Sequence, residues 1–150
     1  MRFDNKALAN PVDLLEAIER PVDISDSGLV CDLMWADPVE DNQSGFLPNE
    51  DSHVQVSFIF GRPEVEGFLQ KTGLEMIIRS HQVVDAGFEL MSNRHLLTIC
   101  SCPNYVGSGN LGAVVVIDED LQITFAVFKP PSLDLDDAAR SGIDIQNHLS

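Results

Sequence analysis

A chain of 150 residues with 44% hydrophobic content is one domain or part of one, with enough apolar side chain for a core. Its 24 Asp and Glu against 9 Lys and Arg give a formal net charge of −15, which excludes nucleic acid and anionic membrane as natural partners, because both need clustered cations. No apolar run approaches the roughly 20 residues that cross a bilayer, and the first ten residues contain no apolar signal segment, so a soluble protein is expected.

Three cysteines, Cys31, Cys100 and Cys102, are an odd number and predict no disulfide framework. All three lie in apolar runs, where a free cysteine behaves as a small buried hydrophobe. Cys100 and Cys102 would share one face of a strand, and a C-x-C without another Cys or His pair nearby is a poor zinc pattern. The expected compartment is reducing and intracellular, cytoplasmic or nuclear.

Asn10-Pro11 predicts an N-cap followed by proline at the first helical position, with Leu14, Leu15 and Ile18 as an apolar stripe and a stop before Pro21. Residues 29–35 read as a strand carrying Cys31, Leu33 and Trp35 on one face, and residues 36–52 as a long polar loop. Val54, Val56, Phe58 and Phe60 alternate as in a half-buried strand. Gly61-Arg62-Pro63 then starts a helix with Val65, Phe68 and Leu69 inward and Gly73 just past its end. Residues 74–78 read as a buried strand, and residues 87–90 and 95–100 as a hairpin across Ser92-Asn93-Arg94. Residues 113–117 and 121–128 form a second hairpin turned by Asp118-Glu119-Asp120, and Pro130-Pro131 ends the sheet. Residues 131–150 are expected to be an acidic, flexible tail with weak helical potential at 136–140. Trp35 and the strands around residues 54–60 and 113–128 are the expected core.

Two apolar runs deliver polar groups to a strand end, a common place for a metal or anion site. The first leads into Arg79-Ser80-His81-Gln82, the second into Ser101-Cys102-Pro103-Asn104-Tyr105 and a Gly-rich loop. A neutral imidazole at His81 is a good metal ligand, although a single His beside an apolar run is more often a hydrogen-bonded core residue. A guanidinium at Arg20 could grip a phosphoryl group bidentately, but the residues alone favour a cation that balances a helix C-terminus. Tyr105 would either touch a substrate at a loop tip or pack on the loop. There is no G-x-S-x-G elbow, P-loop, H-E-x-x-H or G-x-G-x-x-G, so residue chemistry by itself assigns no function.

The two strand-end segments resemble the R-A-H-Q-V-V and S-A-P-N-Y motifs of the metal-dependent serine/threonine protein phosphatases, the phosphoprotein phosphatase family. Arg20-Pro21-Val22-Asp23 resembles that family's R-P-x-D. Gly28-Leu29-Val30-Cys31-Asp32-Leu33-Met34-Trp35-Ala36-Asp37-Pro38 resembles G-L-L-C-D-L-L-W-S-D-P. Phe58-Ile59-Phe60-Gly61 resembles Y-T-F-G, and Phe128-Lys129-Pro130 keeps its place at the end. The similarity is to the protein phosphatase 1 type and runs over about residues 19–130.

The resemblance implies an α/β (α+β) fold: the C-terminal half of a metallophosphatase-type β-sandwich flanked by helices, with mostly antiparallel strands. Residues 1–130 would be a partial catalytic domain and 131–150 the tail. By position, His81 would be a metal ligand, Arg20 a phosphate contact and Tyr105 a residue beside the substrate. The implied cofactors are two divalent metal ions (Mn, Fe or Zn), and the implied partners are phosphoprotein substrates or phosphatase regulatory subunits.

The family's remaining metal ligands lie on G-D-x-H-G, G-D-x-x-D-R-G, G-N-H-E and C-x-H-G-G, none of which occurs in this sequence. Its catalytic His belongs to G-N-H-E, so no catalytic residue is retained. A single His cannot hold two divalent cations. The resulting expectation is a truncated phosphatase, inactive alone, with a non-catalytic pseudophosphatase-like interaction module as the alternative. Half of a shared sandwich would also expose an apolar face, through which the chain could self-associate.

Overall fold

The computed structural model describes residues 11–39, 43–50, 56–130 and 144–146, which belong to two compact units. The first unit takes residues 1–77 and 91–96, the second residues 78–90 and 97–150. Among the described residues no helix is long and apolar enough to cross a membrane.

In the first unit, α1 (Pro11–Glu16) opens on a proline, whose missing N–H costs nothing in the first turn. Residues 29–35 are not the expected strand: Leu29–Trp35 is a helix, α2. A short apolar run has no period that separates the two, and here the i to i+4 spacing decides. Asp32 N–H bonds back to Gly28 O at 2.9 Å, and Ala36 N–H to Asp32 O at 3.1 Å. The helix buries Cys31 and leaves Leu33 and Met34 exposed, so those side chains do not share the face that a strand would give them. The Asp32 carboxylate accepts the Ser57 hydroxyl at 2.9 Å.

Three short strands follow: β1 (Asp37–Pro38), β2 (Leu47–Pro48) and β3 (Phe58–Phe60). β3 lies between the others, parallel to β1 and antiparallel to β2, with Ile59 opposite both Asp37 and Leu47. The alternating strand expected from residue 54 is realised over Phe58–Phe60, and residues 51–55 lie outside the described part. Both prolines sit on edge strands, where a missing N–H breaks no ladder. Asn49 is buried between these elements and donates to the Asp37 carboxylate at 2.9 Å.

The helix expected after Gly61 is present as α3 (Arg62–Thr72). Glu64 reaches back to the Gly61 N–H and also accepts the Gly45 N–H, so one carboxylate starts the helix and pins a loop to it. Gly73, at φ 71°, ends it in the left-handed conformation that glycine favours, its N–H bonded to Leu69 O at 2.9 Å. Val65 and Leu69, one helical turn apart, pack with Met91 and Leu96, and Phe60, Phe68 and Ile77 close around them. Trp35 is only half-buried and stands outside this cluster, which corrects the expectation that it helps to form the core.

β4 (Ile77–Arg79), β5 (Phe88–Met91) and β6 (Leu96–Ile99) form a three-stranded sheet with β6 in the middle. The buried strand expected at residues 74–78 begins later than that, and its Ile78 is exposed. The β5–β6 turn does fall on Ser92–Arg94, one turn of 3-10 helix with Asn93 at φ 56°. Leu96, Leu97 and Thr98 are buried in succession, as befits a central strand covered on both faces.

The second unit contains the second expected hairpin, β7 (Gly112–Ile117) and β8 (Ile123–Phe128), in register from Gly112 opposite Phe128 to Ile117 opposite Ile123. The Asp118 carboxylate accepts the N–H groups of Asp120 and Gln122 at 3.0 and 2.8 Å and so shapes the turn. The sheet does not end at Pro130-Pro131. A further strand, β9 (Asp144–Gln146), pairs antiparallel with Phe125–Val127 of β8. A proline pair stops one strand but does not prevent the chain from returning to the sheet edge. The rest of the segment read as a tail, including the helix expected at 136–140, lies outside the described residues.

Phe125 is buried and stacks on Phe88 with ring centroids 4.0 Å apart and planes 11° from parallel. Gly87 marks a close backbone approach in this unit. At φ 80°, a Cβ there would stand 2.7 Å from Gly112 C and 2.8 Å from Ala113 N. The architecture is mixed α/β with small, mostly antiparallel sheets, the class the sequence implies.

Two pairs of substitutions test this packing by chemical denaturation. Gly67→Ala, within α3 and with nothing within 4 Å of the new Cβ, should stabilise the chain by about 0.4–1 kcal/mol. Gly87→Ala should destabilise by about 1–3 kcal/mol, because it meets backbone atoms in a conformation that disfavours a side chain. Leu96→Ala should cost about 2–5 kcal/mol, more than Trp35→Ala. An equal or larger loss at Trp35 would move the core back to where the sequence put it.

Candidate functional site

The second unit carries its most organised polar structure in the loop from Cys100 to Leu111. β6 stops at Ile99, and the chain then turns through Pro103, Asn104 at φ 52°, and a 3-10 turn, Tyr105–Gly107. Glycines at 107 and 109 take positive φ, which the loop requires twice within three residues. Val106 does so as well, at φ 45°, an uncommon conformation for a β-branched residue, and it is 88% exposed. Strain of this kind persists only where the surroundings over-determine the backbone.

Asn110 supplies that determination. Its side-chain carbonyl accepts the Tyr105 N–H at 2.8 Å and the Ser108 hydroxyl at 2.5 Å. Its amide nitrogen donates to Cys102 O and Leu111 O, both at 2.8 Å, and to Cys100 Sγ at 3.6 Å. Asn104 adds a second clasp: its Oδ1 accepts Gly109 N–H at 3.0 Å, and its own N–H bonds to Asn110 O at 2.8 Å. Backbone bonds from Leu111 to Asp85 O at 2.8 Å and from Cys100 to Gly87 O at 2.7 Å anchor the loop base. Tyr105 is thereby held at the tip with its side chain exposed.

His81 follows β4 by two residues and is exposed, with φ 91°. The Arg79 guanidinium donates to the Gln82 side-chain oxygen at 2.7 Å, a bridge that spans Ser80 and His81 and stiffens the segment. Histidine is among the residue types that tolerate positive φ, yet it is still uncommon there. His81 is thus a surface residue on a constrained turn and not a buried core histidine.

Arg20 belongs to the first unit, just beyond the end of α1, and is exposed. It donates Nη2 to Leu15 O at 3.3 Å, which satisfies one of the carbonyls orphaned at the helix end. A guanidinium carries five N–H donors, so this bond engages only a part of the group. Arg20 lies in the first unit, and His81 and Tyr105 lie in the second.

Among the described residues there is no group of three or more His, Cys, Asp or Glu side chains placed to hold a metal ion. The described residues thus do not by themselves supply the ligand set of a two-metal centre. The cysteines supply no such centre either. Cys31 and Cys100 are buried, whereas Cys102 is exposed, a correction to the expectation that all three are buried. Nor do Cys100 and Cys102 share a strand face, because β6 ends before both. Burial pushes the Cys31 thiol up, and the Asp32 and Asp26 carboxylates add to the shift, so Cys31 stays protonated and inert.

Asn110 is the residue that sequence reading passed over. The signal was an asparagine closing a loop of two glycines and a serine, with a side chain able both to donate and to accept.

No family model matches the chain. Among solved structures it is similar to a protein serine/threonine phosphatase from Saccharomyces cerevisiae that has similarity to human phosphatase PP5. The two share 26% identity with a TM-score of 0.68, over 79% of this chain and 39% of the yeast chain. The chain thus spans about two fifths of the length of the phosphatase it matches. Its fold is phosphatase-like.

Proposed function

We propose that this chain is the C-terminal half of a serine/threonine phosphatase-type catalytic domain and does not hydrolyse phosphoesters by itself. One observation carries the reading: a phosphatase-like fold that takes in 79% of this chain but only 39% of the phosphatase it matches. Hydrolysis in such enzymes relies on metal ions to polarise the phosphoryl group and to supply the nucleophile. Within this reading His81 contributes a single ligand from a stiffened turn, Arg20 offers a bidentate grip on phosphate, and Tyr105 lines the substrate from its clasped loop. The remaining ligands come from polypeptide outside this sequence. Phosphoproteins are then the substrates of the completed domain, and the compartment is intracellular, cytoplasmic or nuclear.

A second reading is a non-catalytic, pseudophosphatase-like module that binds phosphatase regulatory subunits or a copy of itself. It draws on the exposed apolar residues Val114, Val116, Ile117 and Leu121 of the β7–β8 hairpin, one edge of which pairs with no other described strand.

Assays of the purified chain on phosphopeptides with Mn²⁺ should give no turnover above background, unchanged in Arg20→Ala and His81→Ala. Metal-dependent turnover that both substitutions remove would defeat the proposal. Co-expression with an N-terminal phosphatase fragment bearing G-D-x-H-G and G-N-H-E separates the two readings. Recovery of turnover that His81→Ala abolishes supports the half-domain, and a stable but inactive complex supports the interaction module.

A further inference from the structure

We propose that Cys102 and Cys100 form a hydroperoxide-responsive dithiol whose oxidation resets the loop carrying Tyr105. Cys102 is exposed at the start of the loop, and Cys100, two residues earlier, is buried at its base. The chain between them is curled. Cys100 Sγ donates to the carbonyl oxygen of Cys102 at 3.6 Å, whereas an extended segment would keep those atoms well apart. The accessible thiol, whose sulfur now lies 3.9 Å from Pro103 O, and its potential resolving partner are thus joined by a curled segment with one intervening residue, across which a first oxidation at one sulfur can be captured by the other.

Asn110 connects this pair to the rest of the loop. Its amide nitrogen donates to Cys100 Sγ at 3.6 Å and to Cys102 O at 2.8 Å. These two contacts hold the Cys100 sulfur and the Cys102 carbonyl on the same amide group. The other end of the same carboxamide holds the Tyr105 N–H at 2.8 Å. A bond between the two sulfurs draws the Cys102 thiol away from Pro103 O, and the backbone adjustment that so tight a ring demands shifts the Cys102 carbonyl off the Asn110 amide and loosens the Tyr105 clasp.

The chemistry balances with a hydroperoxide as oxidant. The Cys102 thiolate attacks one peroxide oxygen, the O–O bond breaks, and water or an alcohol departs, leaving Cys102 as a sulfenic acid. The Cys100 thiolate then attacks that sulfur, the S–S bond forms, the S–O bond breaks, and hydroxide leaves and takes up a proton as water. Two thiols have lost two electrons and two protons, and the peroxide has been reduced. A disulfide across one intervening residue is strained and so easily reduced again, the property of a reversible device and not of a structural bridge. Buried Cys31 serves as the internal control. The inference does not depend on any phosphatase role.

The test treats the full chain with hydrogen peroxide and dimedone, alkylates the free thiols, and maps the peptides by mass spectrometry. Wild type should give a Cys100–Cys102 disulfide that dithiothreitol reverses, with Cys31 unmodified. Cys100→Ala should stop at a dimedone-trapped sulfenic acid on Cys102. Amide exchange at Tyr105 should quicken about tenfold in the oxidised chain as its hydrogen bond opens. Oxidation of Cys102 directly to the sulfinic acid with Cys100 still free, linkage between chains, or unchanged exchange at Tyr105 in the disulfide form would each overturn the proposal. Mapping and exchange on the wild-type chain decide the matter even if the variant does not fold.

Discussion

Asn110 is 1% exposed, and its amide nitrogen has three acceptors within reach for two hydrogens, while its carbonyl accepts from two more groups. One neutral side chain thus closes the loop end to end, from Cys100 through Tyr105 to Leu111. Each partner that it leaves unsatisfied on removal would cost about 1–3 kcal/mol where buried. That sum exceeds what positive φ at Asn104 and Val106 takes away, which is why the strained backbone persists. The position of Tyr105 follows from this network and not from packing of its own ring, since the ring is exposed.

The fold was most legible where a local rule had one outcome. Gly61, Pro63 and Gly73 bracket α3, and Val65 and Leu69 mark its buried face. Asp118 to Asp120 turn the β7–β8 hairpin because an aspartate carboxylate can replace the missing backbone acceptors. The Leu29–Trp35 run was misread because its residues are apolar almost throughout, and neither periodicity nor composition distinguishes a short buried helix from a strand. The decision came from the bond between Asp32 and Gly28, which no sequence pattern announces. β9 was missed for a related reason, since three residues beyond an acidic stretch carry almost no signal, and the pairing is supplied by the open edge of β8.

Around the candidate residues, the sequence singles out the side chains themselves but not the groups that support them. His81 and Tyr105 stand out as a histidine after a strand and a lone tyrosine in a glycine loop. The groups that hold them, Gln82 through Arg79 and Asn110 through five hydrogen bonds, are uncharged amides that no motif singles out. Arg20 illustrates a different limit. A helix-capping cation and a phosphate-gripping cation look alike in sequence, and here the same guanidinium caps Leu15 while keeping further donors. The two units that hold these residues each have an internal logic of their own.

The account turns on whether this chain can hold metal. A phosphatase-like fold is compatible with an enzyme, while the described residues contain no three-ligand group. Calorimetric titration of the purified chain with Mn²⁺ addresses this most directly. The account predicts weak, non-stoichiometric heat that His81→Ala leaves unchanged. A saturating two-site isotherm that His81→Ala abolishes would contradict it.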